Sequence, residues 1–126
     1  MSYKSVMVIK AFVCLGFGVL MLLVPRALFG IFGAELGPGG KFPAWEYSAA
    51  LFGNLTLTWF ARNAAASDAR HAIILALFVY DVVGVVVSVI AVLTGMLNAL
   101  GWLVVLVYLF FAWAFGSLLR VKPSAA

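Results

Sequence analysis

The chain has 126 residues, is 67% hydrophobic and only 10% charged, with eight basic residues against four acidic. A soluble domain of this length runs near half apolar and a quarter charged, and twelve charges cannot clothe its surface in water. The net charge of +4 is too small and scattered to mark a nucleic-acid-binding domain. What remains is a single integral membrane domain with little outside the bilayer.

A spanning helix needs about 20 mostly apolar residues, and four stretches supply them. The first runs from about Val6 to Val24 and stops at Pro25. Lys4 and the apolar run behind it look like a signal peptide, but no small-x-small cleavage site follows, so it is taken as a retained span. The second runs from Ala44 to Ala61, and the third from Ala72 to Gly95 with one acid, Asp81. The fourth, Ala99 to Leu119, carries no charge. None of the four alternates apolar with polar residues, so helices are expected rather than a β-barrel. The fold class expected is all-α: a four-helix membrane bundle covering residues 1–126.

The connections differ in kind. Residues 26–36 place Leu28, Phe29, Phe32 and Leu36 at helical spacing, which predicts a short helix lying in the membrane interface, followed by a breaker, Gly37-Pro38-Gly39-Gly40. This segment is a loop packed over the bundle end or a lid over a cavity. Asn63 to Arg70 is a short polar turn. Thr94 to Asn98 is a tight hairpin, with Asn98 placed to cap the fourth span.

The positive-inside rule sets the orientation. Lys4, Lys10, Arg62, Arg70, Arg120 and Lys122 fall on one side, Arg26 and Lys41 on the other. Both termini are therefore expected in the cytoplasm, of an inner membrane if the source is bacterial. Trp45, Tyr47, Trp59 and Trp102 are expected at the interfaces, as in an aromatic belt.

Polar residues at depth carry the functional information. Asp81 sits near the middle of the third span, where a carboxylate costs about 2.5–3.5 kcal/mol on insertion scales. Asn54, Tyr108 and Cys14 lie at similar depth in the other spans. Asn54, Asp81 and Tyr108 are expected to approach one another, as a packing device or as a ligand- or proton-binding site. A salt bridge from Asp81 to Lys10 is the other pairing, against the ease with which lysine snorkels to the headgroups. Gly84, Ser88, Ala91 and Gly95, with Cys14 and Gly18, and Ala49 and Gly53, give small-xxx-small stripes for close helix contact.

Several chemistries are struck out. One Cys excludes an internal disulfide and paired redox thiols. One His, His71, with no acid or thiol cluster around it gives no metal site or bis-His haem. No phosphate loop, nucleophile elbow or catalytic triad is present. No catalytic residue is assigned, and no cofactor is specified.

Small multidrug transporters share this size, but their Glu in the first membrane helix has no counterpart here. Leu23-Val24-Pro25, Leu28-Phe29-Gly30, Phe52-Gly53 followed by Arg62, and Gly95 with Gly101-Trp102 give a layout that resembles the small four-helix bacterial membrane proteins called DoxX-like. Phe52-Gly53 through Arg62 is also similar to the scaffold family of ergosterol synthesis, with Ala50 where that family carries Arg before the Phe. These resemblances imply a four-helix layout and transfer no site. The function expected is an accessory or scaffold protein, or a subunit of a larger membrane complex, with the lipid bilayer, other membrane subunits or a second copy as partners. The alternative is a small transporter or lipophilic-ligand-binding bundle using Asp81, Asn54 and Tyr108. A lipid- or quinone-modifying enzyme comes third.

Overall fold

The computed structural model describes residues 1–120, so Lys122, counted above for orientation, lies outside the described residues. Five helices follow in order: α1 (Tyr3–Leu23), α2 (Pro25–Ile31), α3 (Pro38–Phe60), α4 (Asp68–Leu93) and α5 (Gly101–Leu119). No strand occurs among the described residues. Three of the helices, α1, α4 and α5, are long and apolar enough to cross a membrane. The remaining long helix, α3, has the length but is more polar, with Lys41, Glu46, Asn54, Thr56 and Thr58 among its residues.

Helix ends fall where local chemistry puts them. Ser2 caps α1 by accepting a hydrogen bond from the Ser5 amide, and Ser67 caps α4 by accepting from the Arg70 amide. That cap starts α4 at Asp68, four residues ahead of the apolar run. The Gly37–Gly40 segment, expected to break the chain, instead starts α3: Gly37 is the N-cap and Pro38 the first helical residue, where a missing N–H costs nothing. Pro43 lies in the second turn and removes one further hydrogen bond there. The interfacial helix is shorter than expected, ending at Ile31, and Gly33 turns the chain away with φ +78°.

Asn98 does not cap the fourth span at Ala99, because α5 begins at Gly101. Its side-chain oxygen accepts from the Leu100 amide at 3.0 Å, while its amide nitrogen donates to the Ile31 carbonyl at 3.1 Å. Its backbone N–H donates to the Phe32 carbonyl at 2.7 Å. One asparagine thus fastens α2 to the α4–α5 turn.

The helices pack as two pairs. α1 runs along α3, and α4 along α5; α1 also meets α5, and α2 folds back on α1 and α3. Gly18 allows the first pair to close, since Leu51 and Phe52 sit in van der Waals contact with the position of its missing Cβ. Ser48 Oγ donates to the Gly18 carbonyl at 3.0 Å across that contact. Gly84 and Ser88 on α4 are buried as their spacing predicts, whereas Ala49 and Gly53 on α3 face outward. Among the described residues the backbones of α3 and α4 make no close approach.

Two apolar clusters result. Val6, Met7, Ile74, Leu77, Phe111 and Phe115 fill the end that holds the N-terminus of α1. Met21, Leu28 and Ala44, backed by Phe17, Phe29 and Phe32, fill the α2 end. The outer surface is apolar as well, with Phe12, Leu23, Phe60, Leu93 and Trp113 all exposed. An outer face of that kind suits hydrocarbon rather than water.

Candidate functional site: a polar layer and a cavity between the helix pairs

Between the two apolar clusters lies a layer of polar side chains. Asp81, on α4, is fully buried at 0% exposure, and its Oδ1 is paired with Lys10 Nζ of α1. Lys10 is 3% exposed, so it turns inward to the carboxylate rather than snorkelling to a membrane surface. The ammonium also lies over two aromatic rings, 4.3 Å from the Phe111 centroid and 4.9 Å from that of Tyr80. Such ring faces stabilise a desolvated cation. Asp81 Oδ2 makes no hydrogen bond.

The second polar group is a tyrosine cluster from three helices. Tyr47 of α3 and Tyr108 of α5 share a hydrogen bond at 2.5 Å, and Tyr80 of α4 donates to Tyr47 at 2.9 Å. This contact is the side-chain bridge between α3 and α4, whose backbones stay apart. Gly84 makes room for the cluster: a Cβ there would collide with the ring of Tyr108.

Lys10 and the three tyrosines, but not Asp81, line a cavity of about 300 Å³. From α1 it takes Lys10, Cys14, Phe17 and Met21, one stripe at three- and four-residue steps. All three tyrosines border it, along with Ser88. The α2 end is closed by Leu28, Phe29 and Phe32, so the segment expected as loop or lid forms the floor of the cavity there. Val87, 55% exposed, is the one lining residue in open contact with the exterior. It lies two turns beyond Tyr80 on the same face of α4, and the Tyr80 hydroxyl reaches Tyr47 of α3.

Two of the three residues singled out from sequence, Asp81 and Tyr108, lie in this layer with different partners, and Asn54 lies outside it. Asp81 pairs with Lys10, and Tyr108 with Tyr47. Asn54 is half-buried, and its carbonyl accepts from Thr58 Oγ1 at 2.7 Å; it borders neither the ion pair nor the cavity. The Lys10–Asp81 pairing, given above as the alternative, is the one the structure holds; Tyr47 and Tyr80 were not singled out from the sequence as members of this layer. Tyr47 was placed at an interface because the second span was started at Ala44; the helix begins six residues earlier and carries Tyr47 inward. The stripe Ala44, Tyr47, Ser48, Leu51 held the signal. Among the described residues no three His, Cys, Asp or Glu side chains gather as metal ligands.

Comparison with protein-family models, curated proteins and solved structures finds no match.

Proposed function

We propose that this protein is a multi-pass membrane protein that holds a lipophilic small molecule in the cavity between its two helix pairs. In this reading α3 is a fourth span beside α1, α4 and α5. Part of its polarity is sheltered from lipid, since Ser48 and Thr58 are buried and Tyr47 is half-buried, and Lys41 and Glu46 lie in its first turns, near the membrane surface in this reading. Both termini face the cytoplasm, since removing the buried Lys10 from the charge count still leaves Lys4, Arg62, Arg70, Arg120 and Lys122 against Arg26 and Lys41.

The observation that carries this reading is the cavity itself. Helix-bundle interiors are normally filled to crystal-like density. About 300 Å³ left open is twice the ~150 Å³ cavity that accepts benzene. Ligand sites combine such a mostly apolar wall with a few convergent polar groups, here the three tyrosine hydroxyls and Lys10. A purely scaffolding bundle has no need of that space, so ligand binding is preferred to the accessory role, which a loaded bundle can still serve within a larger complex.

Native mass spectrometry of the detergent-purified chain tests it. One bound lipophile of a few hundred daltons is expected, either carried from the membrane or taken up on addition. Val87→Trp, which adds bulk at the exposed part of the wall, should reduce that occupancy. A chain that carries nothing and takes up no added lipophile would return the accessory role to first place.

A further inference from the structure

We propose that the outer face of the α1–α3 pair holds one anionic phospholipid, with an acyl chain in a groove between the two helices and its phosphate on Lys4 and Arg62. The proposal is independent of the ligand held between the helix pairs, because the groove shares no lining residue with that cavity.

The groove measures about 380 Å³ and lies between Ala11, Phe12 and Leu15 of α1 and Leu55, Trp59 and Phe60 of α3. Phe12, Leu15, Trp59 and Phe60 are all exposed, so it opens outward from the bundle. Phe12 and Trp59 meet edge to face, with ring centroids 6.3 Å apart. A slot walled by rings on both helices gives an alkyl chain more atoms to pack against than one helix side alone.

Depth decides between a lipid and a partner's helix. The Tyr3 hydroxyl donates to the Ala61 carbonyl at 2.9 Å, which fixes the level of α1 against α3. From that level the groove runs inward from Phe60, the residue before Ala61, to Leu15, twelve residues after Tyr3. At 1.5 Å per residue its inner end lies about 18 Å deep, against about 15 Å for half of a 30 Å hydrocarbon core. The groove therefore covers one leaflet. A spanning helix needs a matching face across both leaflets, whereas a phospholipid chain needs only one.

Charge selects the headgroup. Lys4 and Arg62 each follow one of the two residues joined by the Tyr3–Ala61 bond, so both stand at the outer end of the groove. Lys4 is exposed and begins the α1 stripe that continues through Val8 to Ala11 and Leu15. Arg62 stacks on the Trp59 ring, 4.0 Å from its centroid, which holds the guanidinium against a wall of the groove. One of its five N–H groups is used on the Trp59 carbonyl at 2.5 Å. A planar guanidinium grips phosphate through paired hydrogen bonds. Among the described residues the same end carries Arg70 and Arg120 as well, against one acid, Asp68. Basic sites between spans at the cytoplasmic side take anionic headgroups, and in the proposed orientation this is that side.

The probes are phosphatidylglycerol and phosphatidylcholine with the same palmitoyl and oleoyl chains. Both are offered in equal amounts to the delipidated full-length protein in detergent, and bound phospholipid is read by native mass spectrometry. Phosphatidylglycerol should be retained about five- to twentyfold better, the preference that one or two nearby cations supply. The double variant Lys4→Gln with Arg62→Gln should bring the ratio near one. Arg26→Gln with Lys41→Gln, at the opposite end, should leave it unchanged. Thr56→Trp, which adds bulk on the exposed groove wall, should lower retention of both lipids. Equal retention by the natural chain would reduce the groove to ordinary annular contact and overturn the proposal. A preference that survives the Lys4 and Arg62 double variant, or that falls in Val87→Trp, would place the lipid elsewhere and overturn it too. A second protein chain bound in place of phospholipid, and lost in Thr56→Trp, would overturn it in favour of a helix. None of these outcomes touches the reading of the internal cavity, whose ligand is a few hundred daltons and is counted separately by mass.

Discussion

Lys10 Nζ and Asp81 Oδ1 join α1 to α4 through an ion pair whose two side chains are both buried. Removing one partner leaves the other charge buried and alone, which costs about 3–5 kcal/mol. Asp81→Asn should therefore lower the thermal midpoint of the detergent-purified protein sharply, and Lys10→Met should do the same. Replacing both at once, Lys10→Met with Asp81→Leu, removes the stranded charge and should recover most of the loss. A double variant no more stable than either single one would show that the pair acts through something other than mutual neutralisation.

A second prediction concerns the contact between Gly84 and Tyr108. A methyl at Gly84 must displace the Tyr108 ring, while one at Gly53 meets nothing within 4 Å. Gly84→Ala should cost about 1–3 kcal/mol through overpacking and weaken the Tyr47–Tyr108 hydrogen bond. Gly53→Ala should change the thermal midpoint little. Equal effects from the two substitutions would contradict the close approach at Gly84.

Helix-end depth explains what was legible in the sequence and what was not. The long apolar runs announced α1, α4 and α5, because a backbone in hydrocarbon has no alternative to helix. The Lys10–Asp81 pair was harder, since counting each span from the start of its apolar run left the two at different depths. Arg70 of α4 stacks on the ring of Tyr3 of α1, 3.9 Å from its centroid, and fixes the true alignment. From that level Lys10 is seven residues in and Asp81 eleven, a gap of about 6 Å at 1.5 Å per residue. The flexible four-carbon stem of lysine covers it. Asn54 is the opposite case: counting along the span gives a residue's depth, but the face it occupies depends on the rotation of α3, and the structure leaves Asn54 half-buried and away from the cavity.

Asn98 supplies the third prediction. Its side chain joins the Ile31 carbonyl to the Leu100 amide across a surface turn. Asn98→Ala should leave the helix pairs intact and cost about 1 kcal/mol. Hydrogen exchange in α2 should accelerate while that in α4 is unchanged, and uniform acceleration along the chain would refute a local tie.

Orientation is testable separately. In a Cys14→Ser background, Ser2→Cys should be labelled by a membrane-impermeant thiol reagent only from the cytoplasmic side, and Lys41→Cys only from the opposite side. The reverse pattern would refute the charge-based topology.

The separation of Lys10 from Asp81, 71 residues along the chain, bears on biogenesis. Synthesis proceeds from the N-terminus, so α1 enters the bilayer with its lysine unmatched and free to lean toward the headgroups. The lysine can settle at its inner position only when the segment bearing Asp81 has been made and inserted. Docking of the late pair, α4 with α5, onto the early pair is thereby coupled to neutralisation of a charge that has been waiting since the first span. A chain interrupted before Asp81 would retain a lysine within its first helix without its carboxylate partner.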